Sequence, residues 1–262
     1  METLLQSFPV ALLMFCRIGS FFVTAPVFSA RNVPASFKVG ISAFVTLTVY
    51  MTFGIHQTVP TDLSYILLII REVLIGLLLG FVAYLLMTAV QTAGAFIDIQ
   101  IGFGIANVYD PMTGASAPLT GNFKYAFAVL LFLTMNGHHY LLDGIVYSYR
   151  WIPLSNVFLL KMADGSIAEF LIRTLGESFM LAFQMAAPIV VALFLTDVGL
   201  GFLAKTAPQF NVFAVGMPLK VLVGIAILLL LVPSFAFVFG QLFEVMFRSM
   251  EKLLGTIGQR PA

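Results

Sequence analysis

The chain has 262 residues, of which 60% are apolar and only 10% charged, well below the ~25% charged content of soluble proteins. That composition places it among membrane proteins, in which apolar spans of about 20 residues are the natural unit of counting. A formal net charge of +1 excludes a strongly basic nucleic-acid surface.

At the N-terminus, Glu2 stands where a cleaved signal would carry basic residues, and Arg17 interrupts the apolar run. The first span, about Leu4 to Phe28, is therefore expected to stay in the protein. The single cysteine, Cys16, cannot form an internal disulfide and reads as a small core residue. Arg17 lies inside the span, where an ionisable group is a functional or pairing candidate. An acid on a neighbouring helix, such as Glu72, is its expected partner.

A proline-rich break leads to a second span, Val39 to about Ile55. The break contains Thr24-Ala25-Pro26-Val27-Phe28, which returns near the other end as Thr206-Ala207-Pro208-Gln209-Phe210. At the same offset Gly19 corresponds to Gly201 and Lys38 to Lys220. Two helical hairpins with related turns would give this pattern, and chance in a biased composition is the alternative.

The third span, Leu63 to about Val90, is too long to cross upright and contains Arg71-Glu72. On a helix Glu72, Gly76, Gly80 and Tyr84 form one stripe, whose small residues admit a second helix closely. Packing is the expected role of that face; proton carriage by Glu72 is the alternative.

Between Gly94 and Asn122 the chain reads GAFIDIQIGFGIANVYDPMTGASAPLTGN, with five glycines, two prolines and two aspartates. It makes neither a good membrane helix nor an ordinary solvent loop, and irregular backbone at membrane depth must be buried in protein or line a cavity. Gly102 and Gly104 admit unusual backbone angles, and Asp110-Pro111 and Gly114 favour turning. Phe96, Phe103, Tyr109 and Met112 can then project into a constriction. A tight connection with the same side chains in the core is the other reading that the residues allow.

A fourth, short span covers about Tyr125 to Met135 and ends at Asn136-Gly137-His138-His139. Gly144 to Leu160 is moderately apolar and holds Trp151 beside Arg150, as at a membrane interface. Glu169, Arg173 and Glu177 repeat every four residues and should stack as ion pairs. The fifth span runs from Phe179 to about Leu200 with a kink expected at Pro188, and the sixth from after Pro218 to Pro233. With six spans, five Lys or Arg residues fall on each side, so the positive-inside rule gives no orientation.

No glycine-lysine-Ser/Thr sequence exists to cradle phosphates. The adjacent His138 and His139 lack the spacing of a zinc-protease pair, and no metal site or cofactor is expected. Asp110 follows Tyr109, but Gly102-Phe103-Gly104 is followed by isoleucine, so the second half of an aspartate-protease dyad is missing. A non-enzymatic protein is expected; an ion- or solute-coupled transporter using Arg71, Glu72 and Glu177 is the runner-up.

The run Gly94 to Gly104 with Asp110-Pro111, the segment Asn136-Gly137-His138-His139, the early Arg31-Asn32-Val33-Pro34 and the late Gly199-Leu200-Gly201 to Phe213 together resemble the flagellar biosynthetic protein FliR family. Each motif is weak alone, but the ordered set covers nearly the whole chain. The resemblance implies an all-α membrane protein of kinked helical hairpins, about six apolar segments around a glycine-rich re-entrant plug loop. It further implies a subunit of the type III export gate in the bacterial cytoplasmic membrane, within the flagellar basal body. Residues 1–200 would be a FliP-like part, and 201–262 a FliQ-like hairpin region. Its implied partners are FliP and FliQ, then FlhB and FlhA, unfolded flagellar export substrates and membrane lipid. The plug would lie between Gly102 and Pro118, carrying Phe103, Gly104, Tyr109, Asp110, Pro111, Met112 and Gly114. Arg17, Arg71, Glu72, Gly76, Gly80, Arg173 and Glu177 would serve ion pairing and helix packing.

Overall fold

A computed structural model describes residues 2–55, 57, 59–60, 62–103, 119–154, 164–209 and 211–258. Its helices are α1 (Glu2–Thr24), α2 (Ala35–Val49, continued by a π turn Tyr50–Gly54), α3 (Ser64–Ile101), α4 (Leu119–Thr134), α5 (Gly137–Trp151), α6 (Ser166–Thr206) and α7 (Val212–Ile257). Among the described residues there is no strand. Four helices are long and apolar enough to cross a membrane, Ala35–Gly54, Ser64–Ile101, Ser166–Thr206 and Val212–Ile257, and two shorter apolar ones accompany them. The protein is an all-α membrane protein.

The helices outrun the expected spans. α3, α6 and α7 contain 38, 41 and 46 residues, or roughly 57, 62 and 69 Å at 1.5 Å per residue, about twice the ~30 Å hydrocarbon core. Pro188 lies inside α6, and Pro218 and Pro233 inside α7, so neither proline of the last helix bounds it as the sequence suggested. Each proline forfeits one backbone donor, a loss that neighbouring groups in a bundle can absorb. Likewise α3 runs through Gly94 to Ile101 and α4 already begins at Leu119, so only the middle of the Gly94–Asn122 stretch is left for irregular backbone.

The two Thr-Ala-Pro copies end their helices alike, although the next helix starts at Ala35 after the first and already at Val212 after the second. α1 ends at Thr24 and α6 at Thr206. The next amide closes the last turn in each, Ala25 N–H to Phe21 O at 2.8 Å and Ala207 N–H to Leu203 O at 2.9 Å. Proline follows one residue later, where it cannot continue a helix. The connection between α4 and α5 turns on Asn136, whose φ of 58° is left-handed, a conformation asparagine tolerates.

The chain divides into two compact units, residues 1–86, 136–175 and 244–262, and residues 87–135 and 176–243. In the first unit Leu13, Ile18, Phe21 and Phe22 of α1 are buried, as are Ile75, Leu79 and Val82 of α3. A methyl group built on Gly76 would overlap the Arg17 carbonyl and the Ser20 hydroxyl, and one on Gly80 would overlap the Thr24 hydroxyl. The small stripe is therefore where α1 and α3 approach. Gly76→Val should push them apart at a cost of at least about 1–3 kcal/mol, seen as a lower unfolding temperature in mild detergent; an unchanged temperature would contradict the close approach. In the second unit Ala93 and Ile97 of α3, Ala128 and Phe132 of α4, Ala186 and Ile189 of α6 and Phe239 of α7 form the core.

Candidate functional site

Two polar constructions stand out in this apolar chain. The first, in the first unit, brings Arg17, Arg71 and Glu72 together with almost no exposure. The Glu72 carboxylate accepts from Arg17 Nε at 2.6 Å and Nη2 at 3.1 Å, and from Arg71 Nη2 at 2.7 Å and Nε at 3.2 Å. Arg17 also donates to Ser148 Oγ at 3.1 Å and the Ile152 carbonyl at 2.9 Å, and Arg71 to the Leu154 carbonyl at 2.5 Å. The Arg17 guanidinium lies 4.1 Å from the centre of the Tyr149 ring, and the Tyr149 hydroxyl donates to the Met14 carbonyl. Two cations thus share one anion, and backbone carbonyls just after α5 take a further donor from each. Such pairs hold together only when every partner is in place, because desolvation of each charge is costly.

The other predicted ionic residues are arranged differently. Arg173 pairs at 2.5 Å with Glu169, and both are exposed. Glu177 is exposed and outside that pair. The geometry follows sequence direction, since an acid one turn before a base pairs better than the reverse.

The second construction is the stem of the glycine-rich loop. α3 stops at Ile101, and Gly102, at φ 101°, returns its N–H to the Asp98 and Ile99 carbonyls at 3.1 and 3.2 Å. Glycine suits this helix-ending conformation. Phe103, half-buried, follows it. Gly104, Tyr109, Asp110, Pro111, Met112 and Gly114 lie outside the described residues. One turn before the stop, Asp98 faces the beginning of α4. Its carboxylate accepts the Thr120 N–H at 3.1 Å and the Thr120 hydroxyl. It thereby satisfies one of the open amides of a helix N-terminus and places negative charge at the positive end of the dipole. Below this clamp a methyl on Gly94 would overlap the Gly121 backbone, so the two helices touch there.

The stem is also tied to α6 and α7. Gln100 Nε2 donates to Asp197 Oδ2 at 3.1 Å, and Lys220 Nζ meets Asp197 Oδ1 at 2.6 Å. A cavity of about 370 Å³ beside the stem is bordered by Gly102, Asp197, Gly216, Met217 and Lys220. Asp98→Ala should free the Thr120 amide and hydroxyl at a cost of about 1–3 kcal/mol. Faster hydrogen exchange at Thr120 and neighbouring amides would show it; unchanged exchange would mean that the clamp is not holding the stem.

Sequence reasoning singled out Gly102 and Phe103 but missed the contacts of Asp98 with Thr120 and of Gln100 with Asp197. The available signal was an isolated Asp98 within an apolar helical run, which the rarity of intramembrane carboxylates makes worth following.

A family profile described as bacterial export proteins, family 1, matches residues 8–246. The chain is 43% identical over 258 residues to a flagellar biosynthetic protein FliR of Bacillus subtilis (strain 168), covering 98% of this chain and 99% of that relative. A FliR of Pectobacterium carotovorum subsp. carotovorum is 32% identical over 88% of this chain and 89% of its own, and one of Escherichia coli (strain K12) is 29% identical over 92% and 91%. Because the profile runs from α1 into α7 and the relatives align nearly end to end, the chain belongs to the bacterial export proteins, family 1.

Proposed function

We propose that the chain is a non-enzymatic subunit of the flagellar type III protein-export gate, forming and gating the passage through which unfolded flagellar proteins cross the cytoplasmic membrane. Its partners are FliP and FliQ copies in a hetero-oligomer, adjoined by FlhB and FlhA at the flagellar basal body. The end-to-end similarity to FliR relatives carries the export role. The pinned stem supports a gating part for the loop: Asp98, Gly94 and Asp197 hold the base from which the segment Gly102 to Pro118 departs. Phe103, Tyr109 and Met112 supply the bulk that closes the lumen in this proposal, and Gly104, Asp110-Pro111 and Gly114 supply the turns. A FliP-like part over residues 1–200 and a FliQ-like part over 201–262 belong to the same proposal. Arg17, Arg71, Glu72, Gly76 and Gly80 act in it as the structural frame.

Extraction in mild detergent with whatever co-purifies, followed by weighing the intact complex, tests this. A homogeneous hetero-oligomer with a single copy of this chain is expected. A stable monomer that conducts nothing but small solutes would contradict it.

A further inference from the structure

Among the described residues, Lys124 is a buried cation without an acid opposite it. It lies in the second turn of α4, 1% exposed, with its Nζ 5.5 Å from the centre of the Phe235 ring of α7. Among the described residues it has neither a carboxylate nor a hydrogen-bond acceptor. An ammonium carries three donors, and a ring face meets only part of that demand. Burial of a charge in this state is costly unless it faces water or a counter-ion, and a carboxylate offsets that cost best.

The surroundings say what form that counter-ion takes. Lys124 lines a cavity of about 190 Å³ in the second unit, walled by Met185, Pro188, Leu231 and Phe235. Gln184, Ser234 and Gln241, all exposed, stand at the same cavity. Around it Phe183, Leu230 and Phe237 are 58%, 76% and 70% exposed, so the helices present an uncovered apolar face. Polar side chains within membrane helices face protein or water rather than acyl chains. The cavity volume equals that of about six waters, which suits a carboxylate and the short stem behind it.

We propose that this cavity receives the side-chain carboxylate of an aspartate or glutamate on an apolar helix of a partner subunit. Lys124 is its counter-ion, and the amides and hydroxyl of Gln184, Ser234 and Gln241 surround its entry. The inference rests on the hetero-oligomer proposed above, and it adds the chemistry of one contact.

The test uses wild type and the variants Lys124→Arg, Lys124→Met and Lys124→Glu, each extracted from membranes in mild detergent and weighed intact with its bound lipids. The arginine variant should assemble like wild type. The methionine variant, whose side chain suits the apolar walls, should lose at least about tenfold in recovered complex, and the glutamate variant should lose all of it, each chain staying in the membrane at the wild-type level. An apolar carbodiimide, which condenses an amine with a carboxylate in contact, should join Lys124 of the wild-type complex to an aspartate or glutamate of another chain. Wild-type assembly of the methionine and glutamate variants would overturn the proposal. So would loss of a bound phospholipid as the only change, a crosslink to a carboxylate of this chain, or disappearance of the methionine variant from the membrane. A wild-type chain that extracts alone would instead be a failure of the export-gate reading.

Discussion

Glu72→Gln should be among the most damaging single substitutions in this chain, lowering stability by about 3–5 kcal/mol. Glu72 accepts from both Arg17 and Arg71, and all three side chains are buried. A neutral amide takes from two buried guanidiniums the carboxylate that they share, in surroundings where water cannot replace it. Arg71→Met acts differently. It leaves the Arg17–Glu72 pair electrically balanced and strands chiefly the Leu154 carbonyl, a loss of about 1–3 kcal/mol. Thermal unfolding of the purified chain in detergent should therefore rank wild type above Arg71→Met, and Arg71→Met above Glu72→Gln, the last lower than wild type by roughly 10 °C. The same pair separates a frame from a transport site. If Glu72→Gln left folding and assembly intact and abolished only export, Glu72 would be a coupling residue.

The helical character of the chain and the Gly76–Gly80 face were legible in the sequence because each rests on local spacing, and the Arg17–Glu72 pair because a charge inside an apolar span calls for an acid on a neighbouring helix. Glycines four apart on a helix make a groove wherever that helix lies. Helix ends were far less legible. Gly94 resembled the start of a loop because glycine and aspartate gather there, yet it lies within α3, where its lack of a side chain serves contact with Gly121. Pro218 and Pro233 resembled boundaries, and α7 runs through both. In a bundle, neighbouring helices decide whether a proline ends a helix, and no local pattern reports those neighbours. The same reasoning explains Glu177: spacing placed it beside Arg173, but Arg173 turns toward Glu169. Asp98 with Thr120, and Asp197 with Gln100 and Lys220, join residues far apart in sequence, so pattern alone could not pair them.

Removal of the loop's centre has the second large expected effect. Deleting Val108 to Ala115 leaves residues 102–107 and 116–118 to connect α3 with α4, whose ends are already joined through Asp98 and Thr120. The shortened segment has only a small gap to close, so the stem and the helices that hold it should form as before. What is lost is Tyr109, Met112 and the Asp110-Pro111 turn, the bulk assigned to the closed passage. The assembled complex should then be intact by mass but open to small ions. Asp98→Ala should leak less, because it loosens the base of the loop and keeps its side chains.

The most direct measurement is ion conductance across membranes containing the assembled complex, wild type against the deletion of Val108 to Ala115, at matched amounts of complex. The plug account expects a tight wild type and a clearly leaking deletion. A fully assembled deletion complex as tight as wild type would contradict it.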